Sequence, residues 1–372
     1  MKIAYVCADP GIPLGGHKGA SVHFRCLAMA LARRGNELTL VCRNTQGDCT
    51  LPRGLRVEQL PGAEDLHENW LSLLFAEIRP DVILERYSLS SGPALAAAQS
   101  HRIPLVLEVN APLVDEAAEY RGLKDVDRWR SRERQVVRAA DRIIAVSTAI
   151  RSHVLKMAVE PRRVALIHNG VDLASFAGTD GRAVRTRYGL EEATVIGFSG
   201  SLKPWHGVEA LIGILASMPV QVSLLIVGDG PQRADLEGLA KSERLSDRVV
   251  FTGAVPHGRV PELLAAMDVA AAPYVPQANF YFSPLKVVEY LAAGLPVVAT
   301  DQGDMRLLVG DAGILVPAGD RAALTRAISR LTADPELRRR LAVAARAQVR
   351  DSDWTSVAGR VEAVLASARA AA

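Results

Sequence analysis

Short apolar runs rich in Val, Ile and Leu alternate along this chain with longer segments in which apolar residues recur every three or four positions. The short runs are typical of buried strands, and the longer segments are typical of helices. In the first half we predict strands over residues 3–8, 37–42, 55–60, 81–87, 105–110, 142–147 and 164–167. In the second half we predict strands over residues 194–200, 222–227, 249–252, 269–273, 296–300 and 313–317. This alternation predicts mostly parallel sheets with helices on both faces.

Helical segments lie between the predicted strands. Residues 20–34 carry an apolar face, and Gly35 marks the end of that helix. Further helices are predicted over residues 208–217, 232–242 and 285–293. The Ala/Arg/Leu-rich region beyond Asp320 is predicted to be helical to the end of the sequence.

The strand pattern begins again after residues 172–193, a polar stretch with three glycines that we interpret as a connection. A chain of 372 residues suits two domains of ordinary size. The predicted fold class is α/β, with two doubly wound, Rossmann-like domains over residues 1–175 and 176–350 and a terminal segment over residues 351–372. Because ligands bind beyond the carboxyl ends of strands in such sheets, we expect the two domains to face each other across a cleft that holds the ligand.

Composition and charge narrow the class of protein. Apolar residues make up 49% of the chain and charged residues 23%, as in folded water-soluble proteins. A net charge of +3 gives little support to nucleic acid as a partner. No apolar stretch approaches the ~18–20 residues that span a bilayer, and Asp9 and Pro10 interrupt the first apolar run before it resembles a signal peptide. The four cysteines are predicted to be reduced thiols of a cytoplasmic protein: Cys7, Cys26, Cys42 and Cys49.

A glycine-rich loop follows the first predicted strand. It contains Gly15, Gly16 and Gly19 immediately before a predicted helix. Glycines let backbone amides approach an anion closely, and the following helix offers its positive N-terminal end, so a diphosphate could bind there. An ordinary glycine-rich connection explains the same pattern equally well.

A second loop with candidate chemistry follows the predicted strand 194–200. It places Lys203, Trp205 and His206 ahead of the next predicted helix. A lysine at the carboxyl end of a strand suits phosphate recognition. The alternative is an exposed loop charge beside an aromatic residue that packs on the helix start.

The segment 279–294 is the most informative part of the sequence. Ser283 and Pro284 are predicted to be the N-cap and first residue of a helix, on which Lys286 and Glu289 are neighbours. There Glu289 can accept hydrogen bonds from two ribose hydroxyls, and Lys286 can reach a phosphate. A surface ion pair, worth at most ~0.5 kcal/mol, is the alternative. Because the flanking residues are apolar, however, Glu289 is expected near a buried edge, where an unused carboxylate is costly.

Taken in order, the motifs of this chain resemble those of glycosyltransferase family 4, retaining enzymes of the GT-B fold. The resemblance covers nearly the whole chain. It rests on the loop at residues 16–19 with its helix ending at Gly35, and on residues 164–172 (V-A-L-I-H-N-G-V-D), 200–207 (G-S-L-K-P-W-H-G), 228–231 (G-D-G-P), 251–255 (F-T-G-A-V) and 289–300 (E-Y-L-A-A-G-L-P-V-V-A-T). Each motif is loose alone, but the ordered set is specific.

The resemblance implies transfer of a sugar from a nucleoside diphosphate, most often UDP and sometimes GDP or ADP, with retained anomeric configuration. It implies no cofactor and no metal ion, since basic side chains and helix ends stabilise the leaving diphosphate. By the resemblance Glu289 holds the ribose, Val255 meets the base through its backbone, and Gly19 faces the diphosphate or sugar. The terminal helix from Trp354 is implied to pack back on the first domain.

These considerations give two sets of candidate site residues. The catalytic candidates are Lys203, Lys286 and Asn110. The candidates for donor binding are Gly16, Gly19, Gly200, Ser201, His206, Gly228, Val255, Ser283, Pro284, Leu285 and Glu289.

The sequence departs from the family pattern at four positions. Tyr281 stands where the family has a second glutamate eight residues before Glu289. Ser201 and His206 replace a phosphate-binding arginine and lysine, and Asn110 replaces a histidine near the reacting sugar. We interpret these as features of a branch with the wording F-S-P-L-K…E-Y-x-A-A-G, in which Lys203 and Lys286 compensate.

The mechanism we expect is a front-face displacement without a protein nucleophile, and Asn110, Glu108 and His17 are candidates for acceptor contact or proton handling. Two alternatives remain open at this point. One is a nucleotide-sugar-binding protein that has lost transfer activity. The other is a related GT-B epimerase or phosphorylase.

The acceptor is predicted to be a glycan, a lipid carrier or a small molecule, bound through loops at residues 45–53, 63–70 and 110–128. Residues 121–142 contain eight Lys or Arg against four Asp or Glu. Such a basic amphipathic helix can contact anionic lipid, which would place the protein at the inner face of the membrane. A solvated helix face is the alternative. The sequence predicts no oligomeric state.

Overall fold

The computed structural model describes residues 1–47, 51 and 54–371. Cys49 and part of the predicted acceptor loop 45–53 lie outside these described residues. The chain divides into a first unit, made of Met1–Gly170, Tyr281–Ser283 and Trp354–Ala372, and a second unit, made of Val171–Phe280 and Pro284–Asp353.

A seven-stranded parallel sheet forms the centre of the first unit, in the order β3-β2-β1-β4-β5-β6-β7. Except for the polar edge strand β3, its strands are mostly apolar runs because helices cover both faces. They are β1 (Lys2–Cys7), β2 (Glu37–Cys42), β3 (Arg56–Gln59), β4 (Val82–Arg86), β5 (Leu105–Val109), β6 (Arg142–Ala145) and β7 (Val164–Leu166). The helices that connect them are α1 (Gly19–Arg33), α2 (His67–Ile78), α3 (Pro93–His101), α4 (Leu113–Tyr120), α5 (Val126–Ala139) and α6 (Thr148–Leu155).

A six-stranded parallel sheet forms the centre of the second unit, in the order β10-β9-β8-β11-β12-β13. Its strands are β8 (Thr194–Ser199), β9 (Val222–Val227), β10 (Val249–Phe251), β11 (Val269–Ala272), β12 (Val297–Thr300) and β13 (Gly313–Val316). Its helices are α7 (Leu173–Phe176), α8 (Arg182–Tyr188), α9 (Val208–Leu215), α10 (Arg233–Ser242), α11 (Val260–Ala265), α12 (Leu285–Ala292), α13 (Met305–Val309), α14 (Arg321–Ala333) and α15 (Pro335–Gln348). The predicted doubly wound α/β class is confirmed, and each predicted strand is present within one or two residues of its expected ends.

Strand order identifies where ligands are expected in each sheet. The order reverses between β1 and β4 in the first unit and between β8 and β11 in the second. In doubly wound sheets, the carboxyl ends of the two strands at such a reversal leave a crevice that binds ligands. The loops that follow β1 and β8 therefore lie where a ligand is expected.

The interpretation of residues 172–193 as a plain connection was wrong. The segment folds into α7 and α8 and belongs to the second unit. Two contacts hold it there: Arg185 binds Asp268 at 2.7 Å, and its Nε donates to the carbonyl of Ala266 at 3.0 Å. Gly181 packs directly against the backbone at Ala266, since a Cβ on Gly181 would lie 2.3 Å from the backbone nitrogen of Ala266.

The chain ends in α16 (Trp354–Ala371), which belongs to the first unit and packs against α1 and against β4, β5 and β6. Its inward face is apolar, with Val361 and Leu365 buried. Arg34 Nε and Glu362 Oε2 form an ion pair of 2.7 Å at the end of α1. Among the described residues, no helix is both long and apolar enough to cross a membrane.

Candidate functional site

Helix α12 brings two of the predicted site residues to the carboxyl end of β8. Tyr290 fixes the helix, because its phenolic oxygen accepts a hydrogen bond of 2.7 Å from the backbone N–H of Ser199, the last residue of β8. One turn earlier on α12, Lys286 reaches Gly200, the residue that follows β8. Lys286 thus lies at the reversal between β8 and β11, where a doubly wound sheet is expected to bind its ligand.

The amine of Lys286 is buried and lacks a hydrogen-bond partner within the described part of the chain. Its Nζ lies 4.1 Å from the ring centroid of Phe198 and 5.3 Å from that of Tyr274. Ring faces attract a cation, but burial outweighs that attraction and lowers the pKa of Lys286 to about 7. A buried amine with unused donors is costly unless a ligand supplies an acceptor. Lys286 is therefore suited to an anion that enters this crevice.

Gly200 makes room for this amine. Its φ of +139° lies in a region that side chains rarely adopt, and a Cβ there would lie 2.7 Å from the Nζ of Lys286. Gly228, with φ +131°, packs against the other side of the same residue, since a Cβ on Gly228 would lie 2.1 Å from the carbonyl oxygen of Gly200. Both predicted glycines are required by close approach between the loops after β8 and β9.

We expect Gly200→Ala to lower the free energy of unfolding by about 1–3 kcal/mol, because the backbone is strained and the Lys286 amine must move. Chemical denaturation of the intact chain measures this change. Gly238→Ala, in α10, is the matched control: it has open space around it and should be neutral or stabilising. Equal stabilities for Gly200→Ala and the unsubstituted protein would contradict the account of Gly200.

His206 lies beside this amine but carries no charge at neutral pH. Burial, followed by the nearby Lys286 and Lys203, lowers the pKa of His206 to about 3. Its Nδ1 donates to the backbone carbonyl of Ser201, and its ring meets Tyr274 edge-on with 5.4 Å between centroids. The Nε2 lone pair is left as an acceptor. His206 therefore does not replace a cation.

Lys203 occupies the same loop as His206 but not the same environment. Its Nζ lies 5.7 Å from the ring centroid of Trp205, and the side chain is half-buried. Ser201 is exposed between β8 and this lysine. The loop thus presents a half-buried lysine amine, while the amine of Lys286 is buried.

Glu289 lies one turn after Lys286 with only 8% of its surface exposed, as its apolar neighbours on α12 led us to expect. Its Oε1 accepts a hydrogen bond of 2.8 Å from Nε2 of His257. Sequence reasoning missed His257, which follows β10 two residues after Val255. With one oxygen held by His257, the other is left for a ligand. The backbone N–H and C=O of nearby Val255 make no hydrogen bond to any described residue.

The prediction that Ser283 caps α12 was wrong. The helix begins at Leu285, and its N-cap is Pro284 with φ −74° and ψ 112°. Ser283 belongs to the first unit, where its Oγ accepts a hydrogen bond of 3.1 Å from the backbone N–H of Asn169. The hydroxyl is engaged by a residue distant in sequence, so it is not available to the helix. Leu285 is half-buried and Pro284 buried.

Tyr281 also belongs to the first unit, where its hydroxyl donates to Oε2 of Glu116 at 2.9 Å. This tyrosine stands at the position of the second glutamate in the family pattern. In the second unit it is His257, rather than a second carboxylate, that binds Glu289.

The glycine loop of the first unit leads to the start of α1, which has no side-chain cap and no acidic residue in its first turn. Gly19 is the first helical residue, and it is exposed. A Cβ on Gly16 would lie 2.6 Å from Oγ of Ser21, which is itself buried without a partner in the described chain. This arrangement leaves helix N–H groups available to an anion.

Asn110 follows β5, and its buried Oδ1 is a hydrogen-bond acceptor without a donor among the described residues. A buried acceptor of this kind calls for a ligand or a water molecule. Two residues earlier, Glu108 accepts hydrogen bonds from Tyr5 at 2.9 Å and His23 at 2.7 Å. Glu108 is thus part of the first unit's internal structure rather than an open acceptor-binding group.

The basic segment 121–142 includes α5, and several of its arginines are used within the chain. Arg130 binds Asp115 at 2.9 Å, and Arg138 donates to the carbonyl of Met157 at 2.7 Å. Arg132 donates to the carbonyl of Ser91 at 3.2 Å. Contact of this segment with anionic lipid stays a prediction.

Two sequence profiles of known protein families match most of the chain. A sequence profile described as Glycosyltransferase Family 4 matches residues 17–175, and one described as Glycosyl transferases group 1 matches residues 193–334. The D-inositol 3-phosphate glycosyltransferase of Xylanimonas cellulosilytica is 31% identical over 392 residues, which cover 95% of this chain and 93% of that protein. The GDP-mannose-dependent alpha-mannosyltransferase of Mycobacterium tuberculosis is 31% identical and covers 90% of each chain.

A solved structure agrees in fold. The crystal structure of Anabaena HepE in complex with UDP-glucose matches 99% of this chain and all of its own with a TM-score of 0.79, at 22% identity. The sequence profiles and the two relatives together cover both units. The chain belongs to glycosyltransferase family 4 and is a glycosyltransferase of the GT-B fold.

Proposed function

We propose that this glycosyltransferase moves a sugar from a UDP-sugar to an acceptor hydroxyl with retention of the anomeric configuration. One observation supports this proposal above the others. The buried amine of Lys286, which has no hydrogen-bond partner among the described residues, lies one helical turn from the carboxylate of Glu289 at the strand reversal of the second unit. A phosphate and a ribose are the two groups that such a pair suits.

The diphosphate of the donor binds at the end of β8. Lys286 supplies a fixed positive charge there, and Lys203 supplies a second one from the loop that follows. Helix α12 has no side-chain cap and no acidic residue in its first turn, so its N-terminal end also favours negative charge. These groups stabilise the charge that develops on the leaving diphosphate, and the proposal includes no metal ion and no cofactor.

The nucleoside binds at the end of β10. The free oxygen of Glu289 accepts hydrogen bonds from ribose hydroxyls, while His257 holds the other oxygen and fixes the rotamer of the carboxylate. The unused backbone groups of Val255 meet the base. Gly200 and Gly228 act by allowing the strand-end loops to approach each other.

The transfer step is a front-face displacement. The acceptor oxygen forms a bond to the anomeric carbon on the face from which the diphosphate leaves. The bond between that carbon and the phosphate oxygen breaks, and its electron pair stays on the diphosphate. The acceptor proton moves to the departing phosphate oxygen, so no side chain acts as nucleophile and the configuration is retained.

The first unit binds the acceptor in this proposal. Asn110 offers a buried carbonyl oxygen, and the start of α1 offers free N–H groups beside Gly19. Both features suit a hydroxyl-rich acceptor. The relative from Xylanimonas cellulosilytica is named for an inositol phosphate acceptor, which makes cyclic polyols and their phosphates the first compounds to test.

Donor binding and transfer can be tested in sequence. Thermal unfolding is measured with UDP-, GDP-, ADP- and TDP-sugars, since a ligand of the native state raises the melting temperature. The best donor is then incubated with glycans, polyols and lipid carriers, and the anomeric configuration of the product is determined by NMR. We expect a UDP-sugar to stabilise the protein most and the product to keep the donor's configuration.

Other outcomes would identify the alternatives. Donor binding without transfer or hydrolysis across the acceptor panel would mean a binding protein. Conversion of the donor without any acceptor would mean an epimerase, and formation of a sugar phosphate from free phosphate would mean a phosphorylase. A preference for GDP-mannose would overturn the UDP assignment alone.

A further inference from the structure

A line of hydrogen bonds, buried at Glu108 and partly buried at Asn169 and Ser283, runs through the first unit from β5 to Ser283. Glu108 Oε1 lies 2.7 Å from His23 Nε2, and His23 Nδ1 lies 2.8 Å from Asn169 Oδ1. Asn169 then donates from Nδ2 to the carbonyl of Ser283 at 2.6 Å, and from its backbone N–H to the Ser283 hydroxyl at 3.1 Å. We call Glu108, His23, Asn169 and Ser283 the polar chain.

The direction of each bond follows from its acceptors. The carbonyl of Ser283 only accepts, so the amide nitrogen of Asn169 must face it and the amide oxygen must face His23. His23 consequently donates from Nδ1 to Asn169, and its Nε2 pairs with Glu108. Although burial alone would raise it, the neighbouring His23 and then Arg86 hold the pKa of Glu108 below its usual value. The pair of His23 and Glu108 therefore orients Asn169.

Ser283 is the residue that connects the polar chain to α12, the proposed donor-binding helix. It is joined by a peptide bond to Pro284, the N-cap of α12, and both Lys286 and Glu289 follow within the first two turns. Asn169 donates hydrogen bonds to the carbonyl and to the hydroxyl of Ser283. These two bonds fix the position and the orientation of the peptide group between Ser283 and Pro284. Ser283, the residue that precedes the N-cap of α12, is therefore held by a side chain 114 residues away in sequence.

The other end of the polar chain lies at the acceptor-binding features of the first unit. Glu108 lies on β5, two residues before Asn110, which follows that strand. His23 lies one turn after Gly19 on α1. One set of hydrogen bonds thus joins the three segments that carry Gly19, Asn110 and Ser283.

We infer that His23 and Asn169 are positioning residues for sugar transfer, because they hold Ser283 and with it the start of the helix that carries Lys286 and Glu289. This inference rests on the proposed function of α12 as the donor-binding helix. Neither residue touches the donor. They act by fixing the positions of Lys286 and Glu289, and this effect is measured as the affinity for the donor.

Asn169→Asp tests this inference. A carboxylate keeps the bond to His23 but places an oxygen against the carbonyl of Ser283, so the side-chain bond to that carbonyl is lost while the backbone bond to the Ser283 hydroxyl remains. We expect the donor KM, and the Kd for UDP measured by calorimetry, to rise at least tenfold, with a smaller change in kcat. Calorimetry with UDP does not require transfer, so its result stands even if the unsubstituted chain transfers no sugar.

Asn36→Asp is the matched control. Asn36 is also a partly buried asparagine of the first unit, and its Nδ2 donates to the carbonyl of Leu31 at 2.8 Å and to Glu362. We expect it to lower the melting temperature and leave the Kd for UDP within twofold of the unsubstituted value. If Asn169→Asp loses similar stability but also keeps its UDP affinity within twofold, the residue has a structural role only and the inference is wrong.

A double-substitution cycle tests whether His23 acts through Asn169. Arg86 Nη1 lies 3.6 Å from Glu108 Oε2, so the buried carboxylate keeps a cation when His23 is replaced, and His23→Gln is used alone. We expect this substitution to raise the Kd for UDP, and to add less than twofold when Asn169→Asp is already present. Independent, multiplicative effects would show that His23 and Asn169 do not belong to one positioning chain.

Discussion

Replacing Glu289 by glutamine is expected to lower kcat/KM for the nucleotide-sugar donor about 10- to 150-fold, which corresponds to the ~1.5–3 kcal/mol of hydrogen bonds to a charged acceptor. Glutamine has the same shape, and its amide oxygen can still accept the bond from His257 Nε2. The remaining group becomes an NH2 where the ribose hydroxyls need an acceptor. Steady-state kinetics with varied donor measure the loss, and calorimetry with UDP shows how much of it is ground-state binding.

Glu262→Gln is the control for this change. Glu262 lies on α11 in the same unit and is bonded to Arg259 Nε at 2.6 Å, close in sequence to His257 but with its side chain partly exposed. We expect its kinetic constants to match those of the unsubstituted enzyme. A folded Glu289→Gln enzyme with kcat/KM within twofold of the unsubstituted value would remove Glu289 from the donor site.

Replacing Lys286 by methionine is expected to make the protein more stable and its donor binding weaker. The folded-state pKa of Lys286 is lowered from 10.5 to about 7 by burial, so the unfolded chain binds more protons between these values. The penalty of burying the cation is therefore fully present below pH 7 and disappears as the pH rises toward 10.5. Methionine removes this penalty, and thermal unfolding at pH 6 should show the largest gain in melting temperature.

Binding of UDP is expected to raise the lowered pKa of Lys286. A diphosphate beside Lys286 favours the charged form, so at pH 8 the enzyme should take up a proton when UDP binds. UDP affinity should then fall by up to about tenfold per pH unit above pH 7. His206 does not contribute, because its pKa of about 3 keeps it neutral throughout this range.

Calorimetry at pH 8 in two buffers with different ionisation enthalpies measures the proton uptake. Lys286→Met should abolish it and weaken UDP binding at pH 7 about 10- to 100-fold. Lys241→Met, at an exposed position near the end of α10, should change neither quantity. UDP binding to the unsubstituted protein without proton uptake at pH 8 would show that the diphosphate does not meet this amine.

Sequence periodicity located β8 and α12 because the environment of each is uniform along its length. β8 and α12 are apolar over almost their whole length, which is what burial on both sides of a parallel sheet requires. The same apolar neighbours of Glu289 indicated that its carboxylate lies at a buried edge, and 8% exposure agrees. Features set by neighbours in the sequence were therefore predictable.

Features that depend on residues distant in sequence could not be predicted. Ser283 has the local sequence of a helix cap, yet its hydroxyl is engaged by Asn169. The pairing of His257 with Glu289 spans 32 residues, and no periodic pattern marks it. The neutral state of His206 depends on burial near Phe198 and Tyr274, which its sequence position beside Lys203 does not reveal.

The packing of α16 against α1 has a consequence for biosynthesis. The ion pair between Arg34 and Glu362 spans 328 residues, and the inward face of α16 is part of the first unit's apolar interior. During translation the first sheet can assemble early, but α16, which covers it, is synthesised only after the second unit. Until then the surface of α1 that α16 covers is exposed to other proteins, so the nascent first unit is a natural substrate for chaperones that bind apolar surface.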